Sequence, residues 1–235
     1  TYTPTDITVG LANCSVFING TRNQTDSAVE NNVLNNLTVQ NSNEGVYLWM
    51  VECADNVDNR NASTFNYTLT LDLTAPLANI TTLNGTAFAT GQPNITINLT
   101  DNLASVLNYT MFVNGEKDDN GTANTGVLRN STLTKHGNGT YTILAEATDQ
   151  ALHKSNSTPI NITIDTVFPT INLSAPANNS NITTVTVYFN FTAFDNLDNA
   201  LSCGLVIDDL LNQSTTAIDG ISNNLSISNF NVGLH

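Results

Sequence analysis

The sequence predicts an all-β protein made of β-sandwich units in tandem, and three observations carry that prediction. Blocks of sequence recur at a fixed spacing. Apolar and polar residues alternate with period two over short segments, as half-buried strands require. Asn, Gly and Asp clusters separate those segments, and no stretch shows the 3.6-residue periodicity of a helix.

The recurrence sets the organisation. Asp6, Cys14, Ile18 and Asn23-Gln24-Thr25 return 189 residues later as Asp195, Cys203, Ile207 and Asn212-Gln213-Ser214. Asp72-Leu73-Thr74-Ala75-Pro76 returns as Asp165-Thr166-Val167-Phe168-Pro169, a shift of 93, and Gly45-Val46-Tyr47 returns as Gly139-Thr140-Tyr141, a shift of 94. A fixed period is the mark of an array of similar units, here about two and a half of them. The expected units are 1–76, lacking its first strands, a complete 77–169, and 170–235, lacking its last two strands. The array is out of phase with the chain ends, so either further polypeptide or strands from another copy should complete it. No signal peptide is present, and Thr1 reads as the start of a mature or excerpted chain.

The middle unit is the template. Period-two segments run over Asn94–Thr100, Asn108–Val113, Thr140–Ala147 and Pro159–Ile164, with turn signals at Asn84-Gly85, Asn114-Gly115, Asn120-Gly121 and Asn138-Gly139. Several short strands in a unit of this size favour a Greek-key sandwich. In the first unit, Val46–Ala54 puts Tyr47, Trp49, Val51 and Cys53 on one face, and Phe65–Leu71 turns Tyr67, Leu69 and Leu71 inward. In the third, strands are expected over Thr184–Phe194, Leu201–Ile207 and Asn224–Phe230, with Val185, Val187, Phe189, Leu205 and Ile207 facing inward. Gly233-Leu234-His235 aligns with the first turn of the strand that carries Cys53 in the first unit.

Composition excludes several classes of function. Asp and Glu outnumber Lys and Arg by 20 to 6, for a net charge of −14. Nucleic acid and anionic lipid both need a basic face, which this chain lacks. No apolar run approaches the roughly 18–20 residues of a membrane-spanning helix. The 40 % hydrophobic content is enough for ordinary cores.

Asparagine gives the strongest indication of compartment. The chain holds 38 Asn, 35 Thr and 15 Ser, and their random placement would yield about eight Asn-x-Ser/Thr triplets. It contains 22. In the first unit they begin at Asn13, Asn19, Asn23, Asn36, Asn61 and Asn66. The middle unit has Asn79, Asn84, Asn94, Asn98, Asn108, Asn120, Asn130, Asn138, Asn156 and Asn161. The third has Asn172, Asn178, Asn181, Asn190, Asn212 and Asn224. The excess predicts N-glycosylation and therefore an extracellular or cell-surface location. Many triplets have an apolar middle residue, as in Asn66-Tyr67-Thr68, Asn98-Leu99-Thr100, Asn108-Tyr109-Thr110, Asn161-Ile162-Thr163 and Asn190-Phe191-Thr192. On a strand this points Asn and Thr to solvent and the middle residue into the core.

The blocks Cys14-Ser-Val-Phe-Ile-Asn-Gly20, Tyr47-Leu-Trp-Met-Val-Glu-Cys-Ala-Asp-Asn56 and Asp72-Leu-Thr-Ala-Pro76 resemble the tandem immunoglobulin-like repeats of archaeal, less often bacterial, surface proteins. The resemblance implies immunoglobulin-like sandwiches, an extracellular stalk, adhesive or envelope role, and no catalysis. The middle unit departs from it in lacking both cysteines, and the third unit has only the first.

Cys14 and Cys53 fall on facing strand positions, so a disulfide is expected between them, leaving Cys203 over. The pair aligned with them in the middle unit is Tyr109 and Ala147, a large and a small residue in the space of two cysteines. Cys203 is either a buried free thiol or the first half of a bridge whose partner comes from further chain or another subunit. Enzyme signatures are absent: His136, His153 and His235 have no ligand or catalytic spacing, and there is no Gly-x-Ser-x-Gly or phosphate loop. Loops at one end of each sandwich would gather Asp72, Asp101 and Asp149 at one junction and Asp165, Asp195 and Asp198 at the next. Asp6, Asp55 and Asp58 occupy the corresponding loops of the first unit. Such carboxylates suit structural Ca²⁺, while Asp also populates these turns for backbone reasons. No cofactor is required.

Two functions compete. One is a non-catalytic building block of a glycosylated extracellular filament, stalk or surface layer, joining copies of itself head to tail by end-to-end or strand-complementation contacts. The other is an adhesin, which should keep an aromatic, sequon-free patch. Aromatic residues are only 7 %, which favours the first.

Overall fold

The computed structural model describes residues 1–8, 10–39 and 43–228. Every named element among them is a strand, and no helix is long and apolar enough to cross a membrane. The expected strand at Asn224–Phe230 is described only to residue 228, and Gly233, Leu234 and His235 lie outside the described residues.

The middle unit shows what the alternating pattern builds. It contains β6 (Leu77–Ile80), β7 (Thr86–Phe88), β8 (Asn94–Thr100), β9 (Val106–Val113), β10 (Glu116–Asn124), β11 (Leu128–Thr132), β12 (Gly139–Thr148), β13 (Lys154–Asn156) and β14 (Ile160–Ile164). One sheet has the order β10-β9-β12-β14-β7, with β13 also on β12, and the other has the order β11-β8-β6. Strand β7 joins β14 in parallel, and the other pairs are antiparallel. Between the sheets lie Ile95, Ile97, Leu99, Leu107, Met111, Ile143, Ile162 and Ile164, fully shielded from solvent. Apart from Leu107, which precedes the expected segment Asn108–Val113, these are the residues that the period-two segments turn inward, because successive side chains on a strand point to opposite faces.

The first unit has β1 (Leu11–Ile18), β2 (Thr21–Asp26), β3 (Gly45–Asp55), β4 (Arg60–Ala62) and β5 (Tyr67–Leu71), in a single sheet of order β2-β1-β3-β4 with β5 further along the same edge of β3. Tyr2, before β1, is bridged to Asn35, in the loop after β2. Asn35 holds that loop by accepting from Glu30 N–H and donating to the carbonyls of Glu30 and Val33. No second sheet covers β3 and β5 among the described residues. Consequently the expectation that Tyr67 and Leu69 point into a core is corrected: they are 55 % and 47 % exposed.

The third unit has β15 (Thr170–Ala175), β16 (Thr186–Phe194), β17 (Ala200–Ile207), β18 (Leu210–Ile218) and β19 (Ser222–Ser228). The sheet β15-β16-β19 faces the hairpin β17-β18 across a small core of Phe191, Ala193, Leu201 and Ala217. Val187 is buried, but Val185 precedes β16 and is exposed, which corrects its expected inward position.

The hairpins β1–β2, β9–β10 and β17–β18 are built alike. Each turns on two residues of positive φ: Asn19-Gly20 (49° and 77°), Asn114-Gly115 (51° and 86°) and Asp208-Asp209 (49° and 63°). Two left-handed residues make the type I′ turn, whose twist matches that of the strands. Each hairpin then skips one residue, Asn23, Asp118 or Asn212, at the same step of its register. Such a bulge bends a strand and sharpens its twist. The recurrence of Asn23-Gln24-Thr25 as Asn212-Gln213-Ser214 is therefore the bulge written in sequence. Asn120-Gly121, expected as a turn, lies inside β10 instead. Gly121 stands opposite Tyr109, whose ring covers the place where a Cβ would sit, 3.0 Å from the phenol oxygen.

Truncation should register the difference between the units. Ile97→Ala removes fully buried methyl groups and should destabilise the middle unit by about 2–5 kcal/mol. Leu69→Ala, on the uncovered face of β5, should cost well under half of that. Urea denaturation of the two variants beside the parent chain makes the comparison.

Candidate functional site

Three sets of residues stand out: the cysteine positions, the carboxylates between units, and the sequon asparagines. The cysteine position is defined by register. Cys14 is opposite Cys53 across β1 and β3, Tyr109 is opposite Ala147 across β9 and β12, and Cys203 occupies the same place on β17. Cys14 and Cys53 are disulfide-bonded, with their Cα atoms 4.0 Å apart. In the middle unit the Tyr109 ring spreads between Ala147 and Gly121, so small neighbours on both sides accommodate one large side chain. Its hydroxyl donates to Asp119, which also accepts from Ser131. Cys203 is a free, half-buried thiol. Among the described residues β17 pairs with β18 alone, whereas β1 and β9 are flanked on both sides.

The carboxylates first serve the backbone. Asp6, Asp101 and Asp195 occupy equivalent loops, and each Oδ1 accepts from N–H groups two to four residues ahead. Asp55 and Asp149 do the same one loop later, Asp55 closing on Val57 and Asn59, and Asp149 on His153. The N–H bonds from Asp198 and Leu197 hold the Asp195 carboxyl below the usual range. Desolvation of Asp55 works in the opposite direction, but its bonds to Asn59 and Val57 outweigh it and lower its pKa.

Two groups then converge between units. Ligand atoms of Asp72, Asp149 and His153 lie within 4.8 Å of one another, as do those of Asp165, Asp195 and Asp198. Each joins the aspartate of a linker to a loop of the following unit, and each can offer oxygen ligands to a hard cation. The first group differs from the expected one, because His153 takes the place of Asp101. The Oδ1 of Asp101 is committed to Leu103 and Ala104, and its Oδ2 is buried without a described partner. Asp58 instead contacts Arg60 at the surface. Sequence reading missed Glu44, which accepts from the Leu73 N–H and the Thr74 hydroxyl of the linker and from Asn102 of the middle unit. Those bonds, Thr74 first, lower its pKa. Its position just before Gly45, the counterpart of Asn138 before Gly139, was the available signal. Asn138 accepts from Thr166 in the next linker in the same way.

His136 contacts Asp118 at 2.8 Å, and Thr134 also donates to Asp118. A hydroxyl–imidazole–carboxylate relay needs the two ring nitrogens on different partners. Here Nε2 faces both Thr134 and Asp118, so the cluster lacks relay geometry. Burial raises the Asp118 pKa, yet the bonds from Thr134 and His136 prevail and lower it. His235 lies outside the described residues.

Residues 30–127 match the family model described as bacterial Ig-like domain (group 3). The fold is immunoglobulin-like. The match begins in the first unit and ends in the second, out of phase with the sheets, and covers less than half of the chain. No curated protein matches the chain. Among solved structures, it is similar to the fibronectin(III)-like modules of Clostridium thermocellum CbhA, at 15 % identity over 68 % of this chain and 80 % of that one, with a TM-score of 0.37. A Salmonella alpha-2-macroglobulin mutant shares 8 % identity over 95 % of this chain and 20 % of that one, at a TM-score of 0.31. The Bacteroides ovatus protein SGBP-B, solved with a mixed-linkage heptasaccharide, shares 12 % over 89 % of this chain and 60 % of that one, at a TM-score of 0.24.

Reduction of Cys14–Cys53 should lower the unfolding transition of the first unit by about 4 kcal/mol on the chain-entropy account and leave the middle unit unmoved. Calorimetry with and without reductant, using Cys14→Ala/Cys53→Ala as the control, measures this. Glu44 gives a pH signature. Its pKa is depressed below 4.5 in the folded chain, so its stabilisation is present above that value and lost as pH falls through the depressed one. Glu44→Gln should therefore lower the thermal midpoint at neutral pH and converge with the parent chain in acid.

Proposed function

We propose that this chain is a non-catalytic structural module of an extracellular, N-glycosylated filament, stalk or surface layer, and that strand addition joins its copies. The observation that carries the reading is the edge of β17. Its equivalents β1 and β9 each have a long partner, β3 or β12, on the side away from the hairpin. Among the described residues that side of β17 has no partner, and Cys203 stands at the register where Cys14 meets Cys53. Either further polypeptide or a strand from another copy would pair there, and we take the second. A sheet edge presents unpaired N–H and C=O groups and invites another strand. In the first unit the outer strands β2 and β5 have no further partner among the described residues, and the face at Trp49, Tyr67 and Leu69 is only partly covered. This unit can therefore take an added strand along an edge and apolar side chains on its face. Unlike surfaces on one chain produce a head-to-tail contact, which propagates when it does not close.

The adhesin reading asks for an exposed aromatic patch free of sequons. Trp49 and Tyr67 do form an aromatic pair, with ring centroids 5.2 Å apart, and Phe65 is exposed beside them. Phe65 lies next to the sequon Asn66 in sequence, however, so the patch is not free of sequons, and aromatic residues make up only 7 % of the chain. This favours the structural reading.

The same reading makes the carboxylates at each junction Ca²⁺ ligands that stiffen the array. Asp72 and Asp149 would hold the first ion, where His153 also converges, and Asp165, Asp195 and Asp198 the second. Their role in the chain is tested by thermal unfolding in Ca²⁺ and in chelator. A midpoint that rises with Ca²⁺, and loses the rise in Asp165→Asn, supports the sites; an unchanged midpoint removes them.

Negative-stain micrographs of the purified chain across a concentration series test the assembly. Fibres, with Cys203 protected from alkylation, are the expected result. Discrete monomers with a freely alkylated Cys203 at every concentration would refute it.

A further inference from the structure

The sequons of the middle unit occupy two kinds of place. Asn84 and Asn138 lie at turns and are exposed. The Oδ1 of Asn84 accepts the N–H of Asn161 at 2.7 Å, and that of Asn138 accepts the N–H of Thr166 at 3.0 Å. Each carboxamide is thereby fixed through its oxygen, and its Nδ2, the atom that carries an N-glycan, donates to no described residue. A sugar added at Nδ2 leaves the oxygen's bond intact.

Asn98 is placed differently. It lies on β8, the central strand of its sheet, directly between Asn79 on β6 and Leu128 on β11. It is only part-exposed, and its Oδ1 is buried without a hydrogen-bond partner among the described residues. Opposed residues on antiparallel strands have Cβ atoms about 4.5–5.5 Å apart, too close for two bulky glycans side by side. Asn79, on the outer strand, is exposed. Nearby, Thr96 donates to Asn130 and Thr132 donates to Asn94, so two further sequons of this face already bond each other across β8 and β11.

We propose that the middle unit carries glycans on the turn asparagines Asn84 and Asn138 and leaves Asn98 bare. This rests on the N-glycosylated, extracellular reading above and specifies which sequons that modification uses. The β6–β8–β11 face is then a hydrogen-bonded Asn/Thr surface in which the triplet at Asn98 serves the strand alone.

The test uses the full chain from a host that N-glycosylates, analysed by glycopeptide and intact mass spectrometry. Fragmentation that assigns each site should find glycan on Asn84 and Asn138 and none on Asn98, which lies four residues from the sequon Asn94. Thr86→Ala and Thr140→Ala remove the two turn sequons without touching their asparagines, and each should lower the intact mass by one glycan. Thr100→Ala should change it only by the substitution itself. Glycan on Asn98, or a bare Asn84 or Asn138 on an otherwise glycosylated chain, overturns the partition alone. An intact mass of 25.1 kDa with no modified peptide overturns the glycosylated reading and the partition together. The unsubstituted chain's own glycopeptides decide the matter even if a variant folds poorly.

Discussion

The pairing of each unit's hairpin strand with the long strand that lies beside it is the contact on which the rest depends. In the middle unit β9 and β12 form the centre of the larger sheet. Their inward residues, Leu107, Tyr109, Met111, Ile143, Ala145 and Ala147, give the opposite sheet its packing surface. Strands β10, β13 and β14 attach to this pair directly and β7 attaches through β14, while β6, β8 and β11 form the sheet that packs across from it. Burial of that apolar face is the main favourable term, since each buried aliphatic side chain contributes about 1.5–3 kcal/mol relative to exposure. The same pair in the first unit, β1 with β3, carries a disulfide at the position where the middle unit has Tyr109 and Ala147. A covalent bond reinforces the sheet whose second layer is thin, and packing alone serves where the core is complete. That division follows from what each unit can bury.

Strand geometry and surface chemistry are coupled in this chain. A triplet such as Asn98-Leu99-Thr100 cannot sit on a strand without sending Leu99 inward and both polar residues outward. Cross-strand neighbours then meet as Asn and Thr, and several bond through their side chains, as Thr142 does to Asn161 and Asn224 to Asn190. The outer faces acquire polar ladders without relying on charged residues, which make up only 11 % of the chain. Most carboxylates lie instead in loops and linkers. There, aspartate carboxylates cap backbone N–H groups, and Glu44 ties the linker Leu73–Thr74 to Asn102 of the next unit.

What sequence alone determined is the local physics. Alternation gave β8, β9, β12 and β14 nearly to the residue, because each is buried on one face and a slip by one position would turn the apolar set to water. Asn114-Gly115 marked its turn because the two left-handed positions of a type I′ hairpin favour those residues. Asn120-Gly121 carries the same dipeptide yet runs through β10: its glycine makes room for the Tyr109 ring on the neighbouring strand, a demand no local pattern records.

Tertiary structure decided whatever depends on a second surface. Tyr67 and Leu69 alternate as correctly as Ile95 and Ile97 do, yet they stand half exposed, because burial requires an opposing sheet as well as an amphipathic strand. The group formed by Asp72 and Asp149 includes His153 in place of Asp101, a convergence that depends on how the linker meets the loops of the following unit. The repeat of Asn23 at Asn212 is visible in sequence, but only the register shows that both, like Asp118, are bulge residues with no partner across the hairpin. Alternation and turn chemistry act within a few residues and are written in sequence. Which face is covered, and which carboxylates converge, depends on segments far apart in the chain, and the fold settles both.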